Sequence, residues 1–143
     1  MNSLIALYRA SQYCKHRLRM HLIPNFLYRL IRVIFSCELP YNTTIGRNTL
    51  FIHNGLGCVV HPKAVIGNDC RIYQNVTIGG RNGSGAPIIG NNVTIYAGAC
   101  VLGGIHIGDN AQIGANAVVI SDVAEGAIVG GVPAKLLKKQ TND

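Results

Sequence analysis

The chain has no tryptophan, three phenylalanines and only six acidic residues in 143. The shortage of acid leaves a net charge of +7, and it is uneven. Arg9, Lys15, Arg17, Arg19, Arg29 and Arg32 all precede the first acidic residue, Glu38. Its five cysteines (Cys14, Cys37, Cys58, Cys70 and Cys100) include no Cys-x-x-Cys pair and are odd in number. That argues against a disulfide framework or a structural zinc site and predicts a reducing cytoplasm. No apolar signal-peptide core is visible, and no run approaches the ~18 apolar residues of a spanning helix. No nucleic-acid-binding module appears, and the aromatic residues form no stacking motif, so nucleic acid is not an expected partner. Low charge, 13%, beside 48% hydrophobic residues excludes a disordered chain.

What the chain does have is periodicity, and of two kinds. In residues 1–36, Leu4, Leu7, Tyr8, Leu18, Leu22, Phe26, Leu27, Leu30, Ile31 and Ile34 recur at roughly helical spacing. This predicts two short basic amphipathic helices separated at Pro24, since proline clashes within a helix interior. Their apolar face is expected to cap the open end of the domain that begins near residue 37. The alternative is peripheral contact with the inner face of a membrane.

From about residue 43 the period becomes six. Ile89, Ile95, Val101, Ile107, Ile113 and Val119 fill one slot, and Val93, Ala99, Ile105, Ala111, Ala117 and Val123 come four places after each. Such a repeat predicts a mainly β chain, a parallel β-helix whose large apolar side chains stack in an interior column over residues 37–131. Gly46, Gly67, Gly90, Gly108 and Gly114 fall at its corners, and residues 132–143 form a basic tail. Val60, Ile66, Ile72 and Ile78 keep the period out of phase with the later run, which implies five extra residues before Ile89. Ile45 and Phe51 imply three more near His53. A regular coil has no structural need of loops, so these two interruptions are where function is expected.

Four stretches carry a family resemblance: His53-Asn-Gly-Leu-Gly-Cys-Val-Val60, Tyr73-Gln-Asn-Val-Thr-Ile-Gly-Gly80, Ile113-Gly-Ala-Asn-Ala-Val-Val119 and Gly130-Gly-Val-Pro-Ala-Lys135. From Glu38 to Lys139 the chain resembles the serine acetyltransferase family of hexapeptide-repeat acyltransferases, especially short members associated with capsule and exopolysaccharide acetylation. The resemblance implies a left-handed β-helix, a homotrimer with active sites between subunits, and acetyl-CoA as co-substrate. It places the co-substrate against Gly80, Ala97 and Ala115, with Pro133, Ala134 and Lys135 at the nucleotide end.

Acetyl transfer to a hydroxyl requires a group that removes its proton, and histidine suits the task. His53, set among Asn54, Gly55 and Gly57, is the candidate base. Glu38 lies fifteen residues earlier, close to one coil, and matches the family's partnering aspartate; it is the candidate orienting carboxylate. Asn54, Gln74 and Asn75 are candidates for hydrogen bonds to the acceptor, with Asn82 and Ser84 in the longer loop.

The serine-specific relatives carry an aspartate where this chain has Ile52 and a histidine where it has Ala86. Both changes favour a neutral sugar hydroxyl of a surface polysaccharide as acceptor, with L-serine as the alternative. His53, His61 and His106 also raise a zinc reading, but the histidine spacing of gamma-type carbonic anhydrases is absent, so no metal is expected. A scaffold without chemistry is disfavoured by the retention of His53, Glu38 and the Pro-Ala-Lys segment.

Overall fold

A computed structural model describes residues 3–19 and 22–139. Two helices, α1 (Ser3–His16) and α2 (Leu22–Phe35), precede a coil of short strands. The strands are β1 (Thr44–Ile45), β2 (Leu50–Phe51), β3 (Val59–Val60), β4 (Val65–Ile66), β5 (Arg71–Ile72), β6 (Thr77–Gly79), β7 (Ile88–Ile89), β8 (Thr94–Ile95), β9 (Cys100–Leu102), β10 (His106–Ile107), β11 (Gln112–Ile113), β12 (Val118–Val119), β13 (Ala127–Gly130) and β14 (Lys135–Lys139). They stack into three parallel sheets, β1-β4-β7-β10, β2-β5-β8-β11-β13 and β3-β6-β9-β12, which form the faces of a prism.

The six-residue slot is the inner column: Ile89, Ile95, Val101, Ile107, Ile113 and Val119 are buried, as are the residues four places after each. Strand register shows the two interruptions directly. Thr94 pairs with Gln112, eighteen residues on, which is one regular coil. Thr44 pairs with Val65 across twenty-one, and Val65 with Ile88 across twenty-three. The extra three and five residues therefore loop out without disturbing the stack.

The corner glycines are required by close approach of the next coil: a Cβ on Gly46 would lie 2.4 Å from the carbonyl carbon of Gly67. The left-handed backbone that each such corner needs falls two residues later, at Asn48, Asp69, Asn92 and Asn110, residues that tolerate it. Their neighbours tie successive coils together: Arg47 N–H donates to Asn68 Oδ1 (2.8 Å), Asn68 N–H to Asn91 Oδ1 (2.9 Å) and Asn91 N–H to Asp109 Oδ1 (2.7 Å).

Helix α1 caps the open first coil. It buries Leu4, Ile5, Tyr8 and Ser11, and the Tyr8 hydroxyl donates to the Thr43 carbonyl. Arg9 Nη2 donates to the carbonyls of Ile45 and Gly46, each at 2.9 Å. Backbone acceptors at the end of the stack are thus satisfied; left unpaired, they would cost stability.

Two expectations need correction. Pro24 does not separate the helices: it lies buried in the first turn of α2, where a helix lacks a partner for the proline's missing N–H anyway. The break falls earlier. The C-terminal segment is also more than a tail, since β14 pairs antiparallel with β13 and closes that sheet.

Helix α2 buries only Pro24 and Ile31, and leaves Leu22, Phe26 and Val33 exposed by 85%, 64% and 80%. No helix of the described residues is long and apolar enough to cross a membrane.

Candidate active site

His53 sits in the three-residue insertion, between β2 and β3. His53, Asn54 and Gly55 have φ of 54°, 52° and 67° in succession. Two consecutive non-glycine residues in the left-handed region cost stability, and such strain gathers at functional turns. The turn is locked: Cys58 N–H donates to Gly55 O (2.8 Å), and Gly57 N–H to Ser36 O (3.0 Å). His53 is exposed, and no hydrogen bond engages its ring among the described residues.

Below it, the same corner of the prism runs through Tyr73-Gln74-Asn75, Tyr96-Ala97-Gly98 and Gly114-Ala115-Asn116. Backbone bonds join these levels: Asn75 N–H to Leu56 O (2.8 Å), Gly98 N–H to Gln74 O (3.0 Å) and Asn116 N–H to Ala97 O (2.9 Å). His53, Asn54, Gln74, Asn75, Ala97 and Ala115 therefore form one column. The column ends near β14, where exposed Lys135 pairs with Gly130. The Val132–Pro133 peptide there is cis.

Gly80 is not in this column. It opens the long loop at the next corner, beside His61. That loop folds down over the following coil, where Ser84 Oγ donates to Arg81 O (2.6 Å) and accepts from Gly104 N–H (3.2 Å). Gly103 and Gly104 provide the bed: a Cβ on Gly104 would lie 2.0 Å from Ser84 O.

The fifteen residues from Glu38 to His53 do not make one coil here. Glu38 bridges to Val59, twenty-one residues on, because the insertion lengthens this coil beyond the fifteen-residue separation. Its carboxylate accepts from Tyr28 Oη (3.2 Å) and pairs with Arg32 Nη1 (3.5 Å), both on α2. Among the described residues, nothing joins it to His53. Partial burial, with Glu38 adding to it, pushes the Tyr28 hydroxyl up from its ordinary value. Tyr28 and Arg32 went unforeseen, although four-residue spacing puts them on one face of a helix.

Asn54 Oδ1 and Gln74 Oε1 are buried without a hydrogen-bond donor, an arrangement that native structures usually fill. Asn75 has the left-handed backbone of a corner residue (φ 58°), which by itself accounts for its identity. Tyr73 and Tyr96 stack on adjacent levels with ring centroids 5.3 Å apart, another pair that the sequence pattern did not reveal.

A cavity of about 610 Å³ opens elsewhere, at the Gly46 corner, lined by Ile5, Arg9, Arg47 and Asn48 among others. It contains none of the candidate residues. A smaller one of about 260 Å³ includes Arg32, Ser36, Glu38, Cys58 and Val59. No three His, Cys, Asp or Glu side chains group as metal ligands among the described residues. His106 faces outward on β10, His16 ends α1, and His21 lies outside the described residues.

Residues 86–121 match the model of a bacterial transferase hexapeptide of six repeats. The chain is 42% identical over 127 residues to a serine acetyltransferase of Helicobacter pylori strain J99, covering 87% of this chain and 74% of the relative. It is 39% identical over 122 residues to the serine acetyltransferase of Synechococcus elongatus, covering 83% of this chain but 50% of that one. Among solved structures, a serine acetyltransferase of Neisseria gonorrhoeae superposes with a TM-score of 0.88 at 34% identity, over 98% of this chain and 54% of its own. A serine acetyltransferase in complex with CoA gives 0.84 at 38%, over 94% and 55%. The chain thus spans about half the length of several relatives. The likeness also gives the prism its hand, that of a left-handed β-helix of about four turns. By sequence identity, coverage and fold together, the chain belongs to the serine acetyltransferase family of hexapeptide-repeat transferases.

Proposed function

We propose that this chain is an acetyl-CoA-dependent O-acetyltransferase that works as a homotrimer with His53 as general base. The observation that carries the reading is His53 exposed on a strained, locked turn at the head of the column formed by Gln74, Ala97 and Ala115. The base takes the acceptor's hydroxyl proton as the oxygen attacks the thioester carbon, and returns it to the departing sulfur. Small side chains at Gly80, Ala97 and Ala115 leave backbone open to an extended co-substrate, and Lys135 is exposed where its phosphates would lie. Glu38 acts here as a positioning residue, holding α2 through Tyr28 and Arg32 to the strand that comes after the His53 turn.

Gly80 and the His53 column occupy different corners of one chain, so a cleft between two copies is what would unite them. Outward-facing Val65 and Ile88, paired on adjacent strands and both exposed, support such association, because strands that face water are usually polar there. The uncovered apolar stripe of α2, bordered by Arg29, supports peripheral membrane contact by the N-terminal unit.

For the acceptor, the relatives favour L-serine, and the polysaccharide expectation gains no support from them. A sugar hydroxyl stays as the second reading on one observation: the His53 turn carries Ile52 and neutral amides, and the candidate carboxylate, Glu38, is paired with Arg32. A charged amino acid needs such partners more than a sugar does. Purified chain given acetyl-CoA, with L-serine or a glycan panel, tests this by CoA-thiol release and product mass. CoA release with neither acceptor rejects the enzyme reading.

A further inference from the structure

We propose that His61 is a second catalytic residue, donating its Nε2–H to the thioester carbonyl oxygen of acetyl-CoA from the opposite wall of the cleft. The proposal rests on the acetyl-CoA reading above and deepens it.

Three observations lead there. The first is the ring's hydrogen bonding: His61 Nδ1 accepts from the Lys63 backbone N–H at 3.1 Å. A nitrogen that accepts carries no proton, so the neutral ring holds its proton on Nε2 and can only donate there. The backbone beneath is fixed by His61 N–H to Ile78 O (2.8 Å), Ala64 N–H to His61 O (2.9 Å) and Thr43 Oγ1 to His61 O (3.3 Å).

The second is the space in front of it. A Cβ on Gly80 would lie 3.7 Å from both Cδ2 and Nε2 of His61, and 3.2 Å from Gly85 O. Glycine at 80 thus keeps a gap between the imidazole and the long loop. Within the described residues Nε2 has no hydrogen-bond partner in that gap.

The third is height along the prism. The His53 turn precedes β3 and His61 comes immediately after it, so the two histidines lie at the consecutive corners that flank this strand, on one coil. A ring of copies about an axis parallel to the prism preserves height. The proposal sets the His61 corner of one copy against the His53 corner of its neighbour, and this symmetry puts the two at the same level.

The step balances. His53 removes the hydroxyl proton, the new C–O bond forms, and the carbonyl electron pair moves onto oxygen, where the His61 N–H receives it. Collapse breaks the C–S bond, and the sulfur takes its proton from His53. His61 keeps its own proton throughout, as an oxyanion donor does.

The test compares His61→Ala, His61→Gln and His61→Asn in the full chain, reading kcat, CoA affinity by calorimetry and melting temperature. Removing one oxyanion donor lowers kcat by ~10²-fold, so His61→Ala is expected to lose about that much while CoA affinity stays within about two-fold of the parent. The Gln amide places an N–H near the Nε2 position and should recover about ten-fold. The Asn amide can only replace Nδ1 as acceptor for Lys63, so it should restore the melting temperature and leave kcat low. Parent-like kcat in His61→Asn or His61→Ala overturns the proposal while leaving the acetyl-CoA reading intact. A parent chain that neither binds CoA nor releases it from acetyl-CoA overturns both.

Discussion

Leu4 of α1 packs against Gly55 of the His53 turn, so closely that a Cβ on Gly55 would come within 2.8 Å of Leu4 Cδ2 and 3.0 Å of Cys37 Sγ. The helix that closes the first coil therefore also supports the turn carrying the candidate base. Gly55→Ala adds this clash to an unfavourable φ of 67°. The expected cost is about 1–3 kcal/mol. The displaced turn should lose turnover more than CoA affinity. Thermal melting and steady-state kinetics on the variant check both, and an unchanged melting temperature would mean that α1 does not press on the turn.

His53→Ala is expected to lower turnover by ~10²-fold or more with CoA affinity nearly intact, because a general base acts in the transition state. Glu38→Gln should be milder, since Tyr28 can still donate to the amide oxygen while the Arg32 ion pair is lost. Tyr28→Phe should resemble it if Glu38 works by holding α2. Should Glu38→Gln match the loss in His53→Ala, Glu38 would instead partner the base directly, through a rearrangement that frees it from α2.

Local contacts were legible in the sequence and distant ones were not. The inner column was readable because a six-residue repeat places Ile95 and Ile113 in one slot without reference to anything far away in the chain. Both interruptions were readable as breaks in that period. The partners of Glu38 were hidden, because Tyr28 and Arg32 reach it only once α2 has folded against the first coil. So was the bed formed by Gly103 and Gly104, since a double glycine looks the same in a loose loop as beneath a packed one. In sequence His61 is a turn residue before Pro62, and only the stacking of coils sets its ring beside Gly80.

Lys135 stands exposed at the start of β14, below the column, and a mobile point charge there suits phosphate. Lys135→Ala should weaken acetyl-CoA binding by about three- to ten-fold at low salt, and the difference from the parent should shrink as salt screens the exposed charge. Calorimetry at two ionic strengths measures this. Equal affinities at both would make Lys135 a surface residue only.

Stability should decline from about pH 9 upward. Burial, with Cys58 and Glu38 nearby, pushes the Cys37 thiol from 9.0 up to about 12, and burial pushes the Tyr8 hydroxyl from 10.0 to about 12. Both groups hold their protons longer in the folded chain than in the unfolded one. Their contribution is complete below the unfolded values and is lost as pH rises toward the folded ones. Melting temperatures between pH 8 and 10.5 should fall, and Cys37→Ala should flatten the first part of that fall. A parent curve flat across this range would show that neither proton is linked to folding.

The uncovered face of α2 gives the last prediction. Leu22, Phe26 and Val33 share one side of the helix and are mostly exposed, Arg29 borders them, and no acidic residue precedes Glu38. An apolar stripe beside cations fits an anionic bilayer surface, where each buried side chain contributes about 1.5–3 kcal/mol and each cation about 1 kcal/mol. The full chain should therefore sediment with vesicles containing phosphatidylglycerol, less with neutral vesicles, and less again in high salt. A Phe26→Ser, Val33→Ser double variant should lose most of the binding while keeping its oligomeric state. If it instead changes its oligomeric state in sedimentation velocity, and the parent ignores vesicles, a second copy of the chain covers this face and the membrane reading is wrong.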